Sequence, residues 1–228
     1  MSRLAVIFDM DGVLINSHPH NAQALDLVLS EYGLNFSTIV LDYGEKWKSA
    51  SFKDLLQWLS DHHGVTIDIV GFSKKVDESS FEIMGSRGDL IDMLLPVLLT
   101  ELKKNDVKLG VASSSQRGRI HKTLELIGID HYFDVVIGAE DVTRHKPSPD
   151  VYIKVAQLLS VSPSECLVFE DSIAGVASAK TAGTKVVAYT KFHESTQHID
   201  EADLHIDNFG KINYTLIEKI VHNKRTPV

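Results

Sequence analysis

Leu4-Ala5-Val6-Ile7-Phe8-Asp9-Met10-Asp11-Gly12 sets five apolar residues directly before two carboxylates one residue apart. A short apolar run of this kind, cut off by a charge, reads as a parallel strand covered on both faces. The same pattern returns at 107–112, 135–137, 166–169 and 185–189. Helical stretches lie between these runs, at 117–127, 150–159 and 173–182. Ser148-Pro149-Asp150 starts the second of them, and Gly128 and Gly183 follow the first and third as C-terminal caps. Strands alternating with helices predict an α/β fold, a doubly wound and mostly parallel sheet with helices on both faces. One interval departs from the alternation. From 16 to 88 apolar residues recur at helical spacing, Ala22, Leu25, Val28 and Leu29, then Phe52, Leu55, Leu56 and Leu59. Gly33, Gly44, Gly64 and Gly71 punctuate them as turn signals. The expectation is a core of 1–15 with 89–228, and an all-helical insert at 16–88.

Length and charge narrow the function classes. The 228 residues suit one domain or one domain with an insert, and 43% apolar residues suffice for a sizeable core. With 23 basic and 31 acidic residues the formal charge is −8, shared equally between insert and remainder. An acidic chain without a basic stripe argues against nucleic acid and anionic lipid as partners. The single cysteine, Cys166, excludes an internal disulfide and a cysteine-rich zinc site. The apolar run before Asp9 is too short for a secretory leader, and the run at 93–99 falls far below the ~18 residues of a membrane span. These features predict a cytoplasmic protein with no membrane partner.

Ligands of open parallel sheets gather beyond the carboxyl ends of the strands. Asp9-Met10-Asp11-Gly12 follows the first strand and Ser113-Ser114-Ser115 the second. Lys146-Pro147 comes a turn after the third, and Glu170-Asp171-Ser172 follows the fourth. Converging carboxylates repel one another and call for a cation between them. An oxygen-only donor set suits a hard ion such as Mg²⁺. Simpler roles remain open for single residues: Ser113 and Asp171 each stand where a helix cap would, and Lys146 where a loop lysine would. An EF-hand is excluded, because Val13 and Leu14 occupy positions that need a polar ligand and a glycine. The dinucleotide and Walker phosphate loops are absent, and neither His18-x-His20 nor His62-His63 has zinc-site spacing.

Asp9-x-Asp11-Gly12-Val13, Ser113, Lys146-Pro147 and Glu170-Asp171-Ser172-x-x-Gly175 resemble the four ordered motifs of the haloacid dehalogenase superfamily, in its β-phosphoglucomutase-like phosphatase group. The resemblance implies that the helical insert is a mobile cap. It implies Asp9 as a nucleophile that becomes an aspartyl-phosphate, and Asp11 as the acid and base for the leaving alcohol and the water. Ser113 would bind the transferring phosphoryl oxygens, aided by Gly12, Ser114 and Ser115, and Lys146 would neutralise them. Asp9, Asp171, Glu170 and the Asp11 carbonyl would hold Mg²⁺. Members that cleave carbon–halogen or carbon–phosphorus bonds lack the second aspartate, so Asp11 favours phosphate esters.

The implied activity is hydrolysis of a small phosphorylated metabolite, a sugar phosphate or similar monoester, by a monomer or weak homodimer. The alternatives are a sugar phosphomutase and a non-catalytic binding protein on the same scaffold. A mutase needs a second phosphate site, for which Lys46, Lys48, His20, Asn21 and Arg87 are candidates, with Trp47 beside them. The chain departs from related sequences at Asn16-Ser17-His18-Pro19, at Asp92-Met93-Leu94-Leu95 and at His145. These differences remove no catalytic group, but they touch substrate choice.

Overall fold

A computed structural model describes residues 4–43, 52–192 and 199–222. The chain divides into two compact units, Met1–Asn16 with Asp89–Val228, and Ser17–Gly88.

The first unit is built on β1 (Ala5–Phe8), β2 (Lys108–Ala112), β3 (Val135–Ile137), β4 (Cys166–Glu170), β5 (Lys185–Tyr189) and β6 (Leu204–Ile206). They form one sheet in the order β3-β2-β1-β4-β5-β6, and every neighbouring pair is parallel. β1 lies at the centre, with Phe8 opposite Val111 of β2 and Phe169 of β4. The three strands therefore end in one row, and the residues just past them are brought side by side.

Alternation along the central strands splits the core into two layers. Ala5, Ile7, Ala112, Cys166 and Val168 face one way, against α7 (Asp150–Leu159) and α8 (Ile173–Ala182). Phe8 and Phe169 turn the other way and stack at 4.9 Å; Phe209 meets Phe169 edge-on at 5.4 Å and itself stacks on Tyr189 at 4.5 Å. On that side α5 (Leu95–Lys104) and α9 (Tyr214–His222) pack together, against β2 and β4 respectively. Helix α6 (Arg117–Leu126) joins β2 to β3 and ends before Gly128, whose φ of +71° suits a residue without a Cβ.

A buried polar feature lies off the central strands. Asp92 is buried just before α5. Its Oδ1 accepts from the Leu94 N–H at 3.0 Å. Its Oδ2 accepts from the Tyr189 hydroxyl at 2.9 Å and the Phe209 N–H at 3.0 Å, with Lys191 Nζ at 3.3 Å. One carboxylate thus ties the start of α5 to the end of β5 and to the turn at 209–211.

The second unit is helical: α1 (His18–Ser30), α2 (Phe36–Tyr43), α3 (Phe52–His63) and α4 (Ile69–Gly85). Its core holds Ala24, Leu25, Val28, Leu29, Ile39, Leu55, Leu56, Leu59, Phe72 and Val76. Two details differ from the sequence reading. Ala24, rather than Ala22, completes the buried stripe of α1. Gly71 does not separate helices; it sits in the first turn of α4, where the Asp68 side chain accepts from the Val70 and Gly71 N–H groups. A Cβ at Gly71 would lie 2.8 Å from Asp68 Oδ2, so the glycine makes room for the cap. Gly44 lies outside the described residues.

α5, β6 and α9 extend the sheet unit beyond the elements anticipated from sequence. No helix among the described residues is long and apolar enough to cross a membrane.

Candidate active site

Asp9 extends β1 by one residue, and its N–H still belongs to the sheet, donating to the Phe169 carbonyl at 3.0 Å. The chain then turns sharply. The N–H groups of Leu14 and Ile15 both reach the Met10 carbonyl, and Gly12 adopts a φ of +81°, which a residue with a Cβ rarely adopts. Gly12 is buried within this turn, which presents Asp9 and Asp11 at the sheet's carboxyl end.

Ser113 extends β2 in the same way, its N–H donating to the Ile137 carbonyl at 3.1 Å. Its hydroxyl oxygen accepts from the Ser115 N–H at 3.1 Å. The Ser115 hydroxyl donates to Asp11 Oδ2 at 3.1 Å, across 104 residues of sequence. Ser114 is exposed between them. Ser115 therefore contacts the second carboxylate directly, a link that spacing alone does not reveal.

The centre of the site is an ion-pair cluster. Lys146 Nζ donates to Asp9 Oδ1 at 2.5 Å, to Glu170 Oε1 at 2.6 Å and to the Ala112 carbonyl at 3.2 Å. Asp9, Glu170 and Asp171 are 7%, 0% and 5% exposed, so three carboxylates are buried here and two of them meet the one ammonium. Burial above all, then the charges of Glu170 and Asp171, push the Asp9 carboxyl well above its usual range, although Lys146 works against them. Burial also opposes the Lys146 charge, but Asp9 and Glu170 outweigh it and hold the ammonium well above its ordinary value.

Both oxygens of Glu170 are engaged. Oε1 accepts from Lys146 and from the Tyr152 hydroxyl, the latter at 2.7 Å. Oε2 accepts from the N–H groups of Asp171 and Ser172 at 2.9 and 3.1 Å, and from the Ser172 hydroxyl at 3.1 Å. Ser172 also caps α8, accepting from the Gly175 N–H at 3.0 Å. A Cβ on Gly175 would fall 1.8 Å from Glu170 Oε1, so the motif glycine is needed for the carboxylate to fit. Tyr152 was missed from sequence. At a core-facing position of α7 it looks like packing, and its hydroxyl partner is 18 residues away.

The candidates of the helical unit are dispersed. His20 is buried on α1, and Asn21 uses its amide oxygen to accept from the buried Ser80 hydroxyl of α4 at 2.6 Å. Arg87 is exposed just past α4. Lys46, Trp47 and Lys48 lie outside the described residues.

A cation fits the chemistry of the strand-end donors, since three buried carboxylates lie close together with one ammonium among them and leave negative charge in excess. Among the described residues no cluster of three His, Cys, Asp or Glu side chains is preformed as a metal cage. The five donors on Glu170 give a physical reason, because its oxygens are already engaged.

Residues 6–189 match the family model described as haloacid dehalogenase-like hydrolase. The chain belongs to that family. Within it, the chain is 32% identical to validoxylamine A 7'-phosphate phosphatase of Streptomyces hygroscopicus subsp. limoneus, over 91% of this chain and 95% of that one. It is 30% identical to the fructose-1-phosphate phosphatase YqaB of Escherichia coli (strain K12), over 80% and 94%. The crystal structure of β-phosphoglucomutase from Clostridium difficile shares the fold, with a TM-score of 0.76 at 21% identity over 95% and 96% of the chains. The match runs through all four strand ends of this haloacid dehalogenase-like chain, and the sheet's central position for β1 is what brings them together.

Proposed function

We propose that this chain is a Mg²⁺-dependent phosphatase that hydrolyses a small phosphorylated metabolite, a sugar phosphate or similar monoester, through an aspartyl-phosphate. The buried cluster of Asp9, Lys146 and Glu170 at the sheet's carboxyl end carries the proposal. Kinship with two phosphatases of phosphorylated small molecules supports the substrate class.

In this reading the Asp9 carboxylate attacks phosphorus, and the alcohol leaves with a proton from Asp11. Asp11 then accepts a proton from water as the water attacks the aspartyl-phosphate and releases inorganic phosphate. A well-placed acid and base of this kind contributes roughly 10²–10⁴-fold. Ser115 orients Asp11 through its hydroxyl, while Ser113 and Lys146 meet the phosphoryl oxygens. Asp9 and Asp171, with the Asp11 carbonyl, would hold Mg²⁺, and Glu170 would stand behind them, engaged with Lys146. The bound ion would supply charge neutralisation for the phosphoryl group and for the buried carboxylates. Selection among metabolites is assigned to the helical unit Ser17–Gly88.

Hydrolysis of p-nitrophenyl phosphate that chelator abolishes, and that Asp9→Asn removes, is the expected result. Activity surviving in Asp9→Asn would exclude the covalent route. A panel of phosphorylated metabolites then names the substrate. Conversion of β-glucose 1-phosphate to glucose 6-phosphate, primed by a bisphosphate and without free phosphate, would replace hydrolysis by the mutase reaction.

A further inference from the structure

Tyr152 is wholly buried on α7, with its ring centroid 5.0 Å from Lys146 Nζ and its hydroxyl 2.7 Å from Glu170 Oε1. Against a carboxylate oxygen at this distance the hydroxyl is the donor of the pair. The three ammonium protons of Lys146 have Asp9, Glu170 and the Ala112 carbonyl as acceptors. Lys146 therefore divides one positive charge between two buried carboxylates. Every other donor on Glu170 lowers its claim on that charge. Three such donors act on Oε2; on Oε1, the oxygen that Lys146 touches, Tyr152 is the donor that competes.

We propose that Tyr152 is a positioning residue: its hydroxyl satisfies Glu170 Oε1 and so keeps the Lys146 ammonium directed at Asp9 and at the phosphoryl group Asp9 would receive. The kinetic part of this inference rests on the phosphatase reading; the structural part does not. With phenylalanine at 152, the ring, its packing and its place beneath the ammonium would all persist, while Oε1 would lose its neutral donor. Lys146 would then shift toward Glu170, weakening its contact with the group that develops charge during transfer.

Tyr152→Phe is the informative variant, because a purely packing role predicts no effect of losing one hydroxyl. The expected result is a kcat lowered roughly tenfold, the size of one hydrogen bond to a charged group, with KM within about twofold of wild type. An unchanged kcat in a folded Tyr152→Phe protein overturns the proposal. A double-mutant cycle on urea midpoints, combining Tyr152→Phe with Lys146→Met, tests the link without any substrate. Non-additive shifts are expected, and additive ones overturn the link. A wild-type protein inert toward every phosphate ester, with a non-additive cycle, would remove the phosphatase reading and leave the coupling of Tyr152 to Lys146 standing.

Discussion

Asp9 and Asp92 are both buried aspartates of the sheet unit, yet their surroundings drive them in opposite directions. Around Asp9 the acids outnumber the bases, and burial with two neighbouring carboxylates raises its pKa. Around Asp92 burial also opposes the charge, but the N–H groups of Leu94 and Phe209, the Tyr189 hydroxyl and Lys191 outweigh it and hold the carboxyl below its ordinary value. The comparison separates two uses of a buried charge. One is fully paired and joins pieces of chain. The other is left in electrostatic deficit, and such a deficit is what a cation and a phosphoryl group can fill.

The largest expected effect lies at Asp9. Asp9→Asn should lower kcat by on the order of a thousandfold or more, as loss of a nucleophile does, with Tm unchanged or raised because a strained charge is removed. A clear fall in Tm would erase the contrast with Asp92. Gly175→Ala comes next. Its Cβ must displace the Glu170 carboxylate, so kcat should fall about 10–100-fold, measured beside a far-ultraviolet circular dichroism spectrum that stays native. Asp92→Ala reverses the balance of effects. It strands the buried donors of Tyr189, Leu94 and Phe209 and should cost about 3 kcal/mol in urea unfolding, with the folded protein keeping its kcat.

The Asp92 contribution also has a definite pH dependence. Its folded pKa lies below the ordinary 3.8, so the stabilisation is present above that value and is lost as pH falls through the lower, folded one. The difference in urea midpoint between wild type and Asp92→Asn should therefore be steady at neutral pH and shrink in acid. A gap that widened in acid would mean a folded pKa raised rather than lowered. The smallest effect belongs to Cys166, where burial, aided by Glu165, pushes the thiol up to about 12. A colorimetric thiol reagent at about pH 8 should react with it in urea and leave the native protein untouched.

Continuous apolar runs made the central strands legible, since a strand buried on both faces has no other way to be written. β3 and β5 coincide with the runs at 135–137 and 185–189, and α7 and α8 with the helices at 150–159 and 173–182. β6 spans three residues and carries an exposed His205, so nothing in Leu204–Ile206 separates it from a loop. The strand-end motif residues were visible because the fold places functional groups at a predictable edge. Their pairing was less so: Ser115 meets Asp11 across 104 positions, and Phe209 meets Asp92 across 117. Such contacts depend on register and crossover geometry, which hydrophobic pattern does not encode. The role of Tyr152 stayed hidden for another reason. A buried tyrosine and a buried phenylalanine satisfy the same helical pattern, and only the position of Glu170 distinguishes them.

Asp9 and Ser113 take their places from main-chain hydrogen bonds to Phe169 and Ile137, at the ends of ladders their own side chains do not build. The backbone frame at these two positions is thus set by main-chain bonds rather than by the side chains. A conservative exchange at position 9 or 113 therefore leaves the ladder that positions it intact, and the chemistry of this edge can be tested without dismantling the sheet.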